Sequence, residues 1–149
     1  VRSLSYLMKN YRGVRLSFVA PEAFRMENDI LDFLKRHAIP YQELDDLAPV
    51  LPEADAVYMT RIQDEHDKAG ESKAVDMRKF RLSADDLKRL RPEAVILHPL
   101  PRREELPESL DADPRAVYWR QERNGMWIRA ALIALVFGQE EIILSRRLP

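Results

Sequence analysis

The sequence predicts an α/β domain: a three-layer, doubly wound and mainly parallel sheet of about five strands with helices on both faces. Three observations carry this expectation. Short apolar runs alternate with stretches whose apolar residues recur at helical spacing, the order of β-α-β units. No two-residue hairpin turn separates the early runs, so consecutive strands need crossover connections, which are right-handed. Two runs, Asp55 to Gln63 and Ala94 to Arg102, stop abruptly on polar or proline-locked residues. In an open α/β sheet that is where ligands bind, just beyond the carboxyl ends of the strands.

The elements follow in order. Leu4, Leu7, Met8 and Tyr11 share one helical face, so Ser3 to Tyr11 reads as a helix stopped by Gly13. Val14 to Ala20 alternates and then runs apolar, a buried strand closed by Pro21. Glu22 to His37 places Phe24, Met26, Ile30, Leu31, Phe33 and Leu34 mostly on one stripe, and its basic end suits a helix C-terminus. Pro40 to Leu44 is a brief strand, Leu47 to Leu51 a short helix or turn, and Ala56 to Thr60 the next strand. Glu65 to Lys79 is charged and aperiodic. It reads as a long polar loop placed where a closing lid would sit. Ser83, with Asp85 and Asp86 behind it, caps a helix running to Leu90. Val95 to Leu97 and Val117 to Trp119 complete the strands. Asn124-Gly125 reads as a turn, and Met126 to Phe137 as a closing helix ended by Gly138.

Composition narrows the function. The length suits one domain over residues 1–149, and 24 basic side chains nearly cancel 25 acidic ones. A net charge of -1 provides no global field for nucleic acid or a membrane surface, and neither is expected as a partner. The longest apolar stretch, within Met126 to Phe137, is too short to span a bilayer. With no cysteine there is no disulfide framework, thiolate metal site or Cys nucleophile, which is compatible with a cytoplasmic protein. None of the glycines forms a dinucleotide or P-loop fingerprint. His37 and His66 lack the spacing of metal ligands, so neither a metal nor a cofactor is expected. The chain opens on Val1 without an initiator Met or a signal-peptide pattern, and the expectation is a piece of a longer polypeptide.

Two strand ends carry the candidate chemistry. Arg61 and Gln63 stand at i, i+2, so both point the same way if the strand continues. Arg offers a planar fork for a carboxylate, and Gln both a donor and an acceptor. The alternative is a structural ion pair of Arg61 with Asp64 or Glu65, a common use of arginine. At the other strand end Pro99 and Pro101 have no N–H and force extended geometry on the residues before them. Carbonyls there are left to accept from a ligand's amino group. The candidate catalytic residues are therefore His98, Pro99 and Leu100, and the candidate substrate-binding residues Arg61, Gln63, Pro99, Leu100 and Pro101. Arg129 reads as a helix arginine without a ligand.

These residues resemble a known family. The runs Tyr58-Met59-Thr60-Arg61-Ile62-Gln63 and Leu97-His98-Pro99-Leu100-Pro101-Arg102 are similar to those of aspartate carbamoyltransferases. So are Tyr118-Trp119-Arg120-Gln121, Asn124-Gly125-Met126 and Arg129-Ala130-Ala131-Leu132. Ornithine carbamoyltransferases carry Cys where this chain has Pro99. The resemblance runs to about Leu144 and covers the C-terminal, aspartate-binding half. It implies transfer of the carbamoyl group of carbamoyl phosphate to L-aspartate in pyrimidine synthesis, without cofactor or metal. It also implies an N-terminal carbamoyl phosphate-binding domain as partner, a homotrimer in the complete enzyme, and an inactive C-terminal half when alone. Arg61 and Gln63 would hold aspartate, and the Pro99 and Leu100 carbonyls would meet the reacting amine and carbamoyl group. A different expectation is a non-catalytic carbamoyltransferase-like domain with an assembly or regulatory role. In place of the family's frequent Lys or His followed by Glu-Arg, the chain reads Asp64-Glu65-His66 after Gln63.

Overall fold

Two parallel strand pairs organise the computed structural model, which describes residues 1–61 and 76–145. Gln63 and the polar stretch from Glu65 as far as residue 75 lie outside the described residues. β1 (Leu16–Val19) pairs with β2 (Tyr41–Leu44) in the register Leu16↔Tyr41 to Val19↔Leu44. The crossover between them carries α2 (Asn28–Arg36), whose Ile30 and Leu34 are fully buried. β3 (Ala56–Tyr58) pairs with β4 (Val95–Leu97), Ala56 opposite Val95 and Tyr58 opposite Leu97. Parallel neighbours cannot be joined by a hairpin, and each pair is spanned by a long connection, as expected.

The parallel α/β class stands, and the strand count is revised. Among the described residues the ladders form two two-stranded sheets, and Val117 to Trp119 is not a strand. Ala116 makes a single parallel bridge to Ile96, with Ile96 N–H donating to the Arg115 carbonyl at 2.7 Å. Val117 N–H donates to the Ile96 carbonyl at 3.0 Å, and Tyr118 then starts a helix. That helix, α4 (Tyr118–Val136), runs through Asn124-Gly125, which is therefore no turn. It follows α1 (Arg2–Leu7) and α3 (Ala84–Leu87) in the chain and precedes α5 (Glu140–Ser145). Gly138 ends α4 at φ +62, a backbone state that glycine adopts without a Cβ clash. The helix expected over Glu22 to His37 is also divided. A 3-10 turn at Glu22–Phe24 gives way to extended backbone at Arg25 and Glu27 before α2 begins. Met26 N–H, freed by that break, donates to the Glu43 carboxylate on β2 at 3.3 Å.

Two hydrophobic clusters result. Ile30, Leu34 and Ile39 pack with Leu16, Phe18 and Tyr41 around the first pair. Val57, Met59, Leu82, Leu90, Ile96, Leu106, Leu110 and Tyr118 pack around the second. Each fully buried Leu or Ile contributes on the order of 1.5–3 kcal/mol. The larger cluster therefore lies beneath β3 and β4, and it anchors the strand ends that carry the candidate site. α4 is buried only at its start. Tyr118 is 0% exposed, whereas Trp127 is 60% and Val136 81% exposed. No helix among the described residues is long and apolar enough to cross a membrane.

The α3 start is a capping box. Ser83 Oγ accepts from Asp86 N–H at 3.2 Å, and the Asp86 carboxylate accepts from Ser83 N–H at 2.9 Å. Because α3 spans only four residues, most of its hydrogen-bonding groups are terminal. Ser83→Ala is expected to lower stability by about 0.5–2 kcal/mol, read as a lower urea midpoint at unchanged slope. An unchanged midpoint would show that the cap is dispensable.

Candidate active site

β3 and β4 run side by side in the same direction, so the residues after Tyr58 and Leu97 leave the sheet at one edge. Met59 N–H still donates to the Leu97 carbonyl at 2.9 Å, which extends the ladder one step past the strands. Thr60 and Arg61 follow on one side, both half-buried. His98, Pro99, Leu100 and Pro101 follow on the other. The structure thus brings Arg61 to the same edge as the proline segment, while Gln63 lies outside the described residues.

The proline segment is held from beneath by His98. Its ring is buried, with no exposed side-chain surface. Leu100 N–H donates to His98 Nδ1 at 2.9 Å. A backbone N–H can only donate, so Nδ1 is the unprotonated nitrogen and the proton sits on Nε2. Nε2 in turn donates to Glu105 Oε1 at 2.9 Å. That carboxylate oxygen also accepts from Arg103 N–H at 2.9 Å. Both ring nitrogens are engaged by the protein. Pro99 and Pro101 are exposed and Leu100 is half-buried, and these three form the surface. Leu100 stands at φ +52, left-handed for a residue with a Cβ, and the Leu100–Pro101 peptide is cis. A non-glycine residue there is uncommon, and such conformations cluster at sites where the surroundings enforce them.

Two further groups were not singled out as site residues from the sequence. Gln121, in the first turns of α4, accepts from His98 N–H at 3.0 Å through Oε1. Its Nε2 donates to the Tyr58 hydroxyl at 3.4 Å, so one amide spans the ends of both strands. The second group closes the segment. Arg102 forks onto Asp111, one arm at 2.8 Å, and the Tyr118 hydroxyl donates to the same carboxylate. The Arg102 guanidinium also lies over the Trp119 and Tyr118 rings, at 5.5 and 5.8 Å from their centroids. The hydrogen bond from Arg102 holds Asp111 below the usual carboxylate range, and Tyr118 adds to that effect. Burial, with the bond to Asp111, pushes the Tyr118 phenol up to about 12. A charged fork stacked on two aromatic rings is a rigid stop for the chain leaving Pro101. The sequence signal was present, since Tyr118-Trp119-Arg120-Gln121 stands out as a motif, but the partners of these residues lie too far along the chain to be read from spacing.

An arginine at the same sheet edge as a fixed, carbonyl-bearing proline turn suits an amino acid with an extra carboxylate. Comparison with known proteins places this geometry. Residues 1–136 match the model of the aspartate/ornithine carbamoyltransferase family, Asp/Orn binding domain. The chain belongs to this carbamoyltransferase family. Aspartate carbamoyltransferase 2, chloroplastic, of Pisum sativum is 42% identical over 139 residues, covering 91% of this chain and 36% of that protein. Among solved structures, Trypanosoma cruzi aspartate transcarbamoylase in complex with carbamoyl aspartate and phosphate superposes with a TM-score of 0.78. It is 31% identical and covers 89% of this chain and 43% of its own. The catalytic subunit of the M. jannaschii aspartate transcarbamoylase gives a TM-score of 0.80 at 29% identity, covering 94% of this chain and 45% of its own. The carbamoyltransferase chain described here therefore spans less than half the length of these relatives, and its α/β fold is theirs.

Proposed function

We propose that this chain is the aspartate-binding half of an aspartate carbamoyltransferase. The observation that carries the reading is the shared edge of β3 and β4, at which Arg61 and the Pro99-Leu100-Pro101 turn both leave the sheet in a chain of this family. Arg61, with Gln63 beside it in sequence, binds the aspartate carboxylates. The Pro99 and Leu100 carbonyls accept from its amino group, and Pro101 shapes the same surface. The amine nitrogen attacks the carbonyl carbon of carbamoyl phosphate and a C–N bond forms. The C–O bond to phosphate breaks, phosphate leaves with the electron pair, and the amine gives up a proton. Such a reaction needs orientation above all, and orientation supplies about 7–11 kcal/mol of a barrier when two reactants are held correctly.

The exposed apolar residues of α4 support a further part of the reading. Trp127, Leu132 and Val136, spread around this long helix, and Phe137 just past its end lie more than half exposed, and exposed apolar surface of this extent suits a docking surface. We assign it to the carbamoyl phosphate-binding domain of a longer polypeptide that assembles as a homotrimer. The setting we propose is cytoplasmic, with which a cysteine-free sequence is compatible, and a plastid is the alternative suggested by the chloroplastic relatives.

The test is turnover by the native polypeptide that carries this chain, supplied with carbamoyl phosphate and L-aspartate. Carbamoyl aspartate and phosphate are expected in equal amounts, and residues 1–149 alone should form neither at a measurable rate. Absence of product from the native polypeptide would favour the non-catalytic reading, an assembly or regulatory domain.

A further inference from the structure

We propose that His98 is a positioning residue that aims the Pro99 carbonyl out of the protein, toward the amine site. This deepens the proposed function and rests on it. The peptide joining Pro99 to Leu100 is trans, since among the described residues the cis bond is Leu100–Pro101. In a trans peptide the C=O and the N–H lie in one plane and point opposite ways. Leu100 N–H is directed at His98 Nδ1, a buried atom, at 2.9 Å. The Pro99 carbonyl on the other side of that plane therefore faces away from the core, where Pro99 itself is exposed.

Three other contacts keep the ring in place. Glu105 holds Nε2 and is itself fastened by Arg103 N–H. Gln121 holds the His98 backbone N–H, so both the ring and its own peptide are tied. The left-handed conformation of Leu100 is unfavourable for a residue with a Cβ, and the hydrogen bond that His98 supplies helps to hold it. Without that bond the Pro99–Leu100 peptide loses the side-chain acceptor that holds its N–H and can rotate. The imidazole acts on the reaction through a peptide plane, with neither ring nitrogen free to exchange a proton with substrate.

Two substitutions separate the two ring contacts in the native polypeptide. In His98→Asn the amide oxygen stands near the Nδ1 position and can take the Leu100 N–H, but nothing reaches Glu105. In His98→Gln the amide reaches Glu105, and the Leu100 N–H is left without its acceptor. The expected result is a kcat about 10–100-fold lower in His98→Gln, with the KM for carbamoyl phosphate little changed. His98→Asn should recover most of that loss even if both variants melt at the same lowered temperature. Hydrogen exchange at the Leu100 amide gives a second readout: slow in the parent and in His98→Asn, fast in His98→Gln. Equal activity losses that track melting temperature, with equal exchange at Leu100, would overturn the positioning role. A parent polypeptide without turnover would defeat the proposed function, and the exchange pattern would still decide what His98 does.

Discussion

Arg61→Ala in the native polypeptide is expected to weaken aspartate by roughly 10–150-fold, the equivalent of about 1.5–3 kcal/mol for one charge-assisted contact. Carbamoyl phosphate binding should be nearly unaffected, because Arg61 is assigned to the amino-acid side of the edge. Arg61→Lys should recover little. An ammonium keeps the charge and loses the planar fork that meets both oxygens of a carboxylate. Steady-state kinetics with each substrate varied in turn is the check. A lowered melting temperature with an unchanged KM for aspartate would instead identify Arg61 as a structural ion pair.

The largest effect on stability is expected at Tyr118, the first residue of α4 and fully buried in the larger cluster. Tyr118→Ala removes an aromatic ring from that core and should lower stability by about 3–5 kcal/mol. Tyr118→Phe keeps the ring and removes the hydroxyl's bond to Asp111, a loss of about 0.5–1.5 kcal/mol, since Arg102 still pairs with the carboxylate. The phenol also sets an alkaline limit. Its native value of about 12 lies above the ordinary 10.0, so the native state holds this proton more tightly than the unfolded chain. That contribution is complete below pH 10 and is lost as pH rises through about 12. Denaturation midpoints across this range should fall in the parent and fall less in Tyr118→Phe. Parallel curves would show that the hydroxyl is not the group responsible.

Much of the frame was legible because the relevant signals are local. The apolar runs at β1 to β4, the Ser83 cap and the glycine after α4 depend on neighbours within a turn or two, and each appears where expected. The failures came from distant partners. Val117-Tyr118-Trp119 has the β-branched and aromatic composition of a strand, yet Tyr118 is buried at the start of a helix. Asn124-Gly125 is a strong turn signal when flanked by strands, and with that flank gone α4 simply continues. A Cβ on Gly125 would meet only Arg129 Nη1 at 3.8 Å, so no close packing accounts for the glycine. At the site, the two prolines marked His98 as unusual. Its partners Glu105, Gln121 and Leu100 are assembled only by the fold, and on those contacts the positioning role is proposed.

The two-cluster arrangement bears on how the chain is made. Every ladder among the described residues pairs strands that are consecutive in sequence, β1 with β2 and then β3 with β4. A ribosome releases the N-terminal segments first, so the first pair and its helix can close before β3 has emerged. Among the described residues neither strand of the first pair takes its ladder partner from the second, so that pairing does not wait for late segments, and long waits of that kind are what expose parallel sheets to misassociation. The edge with Arg61 and His98 forms last, when the Gln121 that ties its two strands has been synthesised.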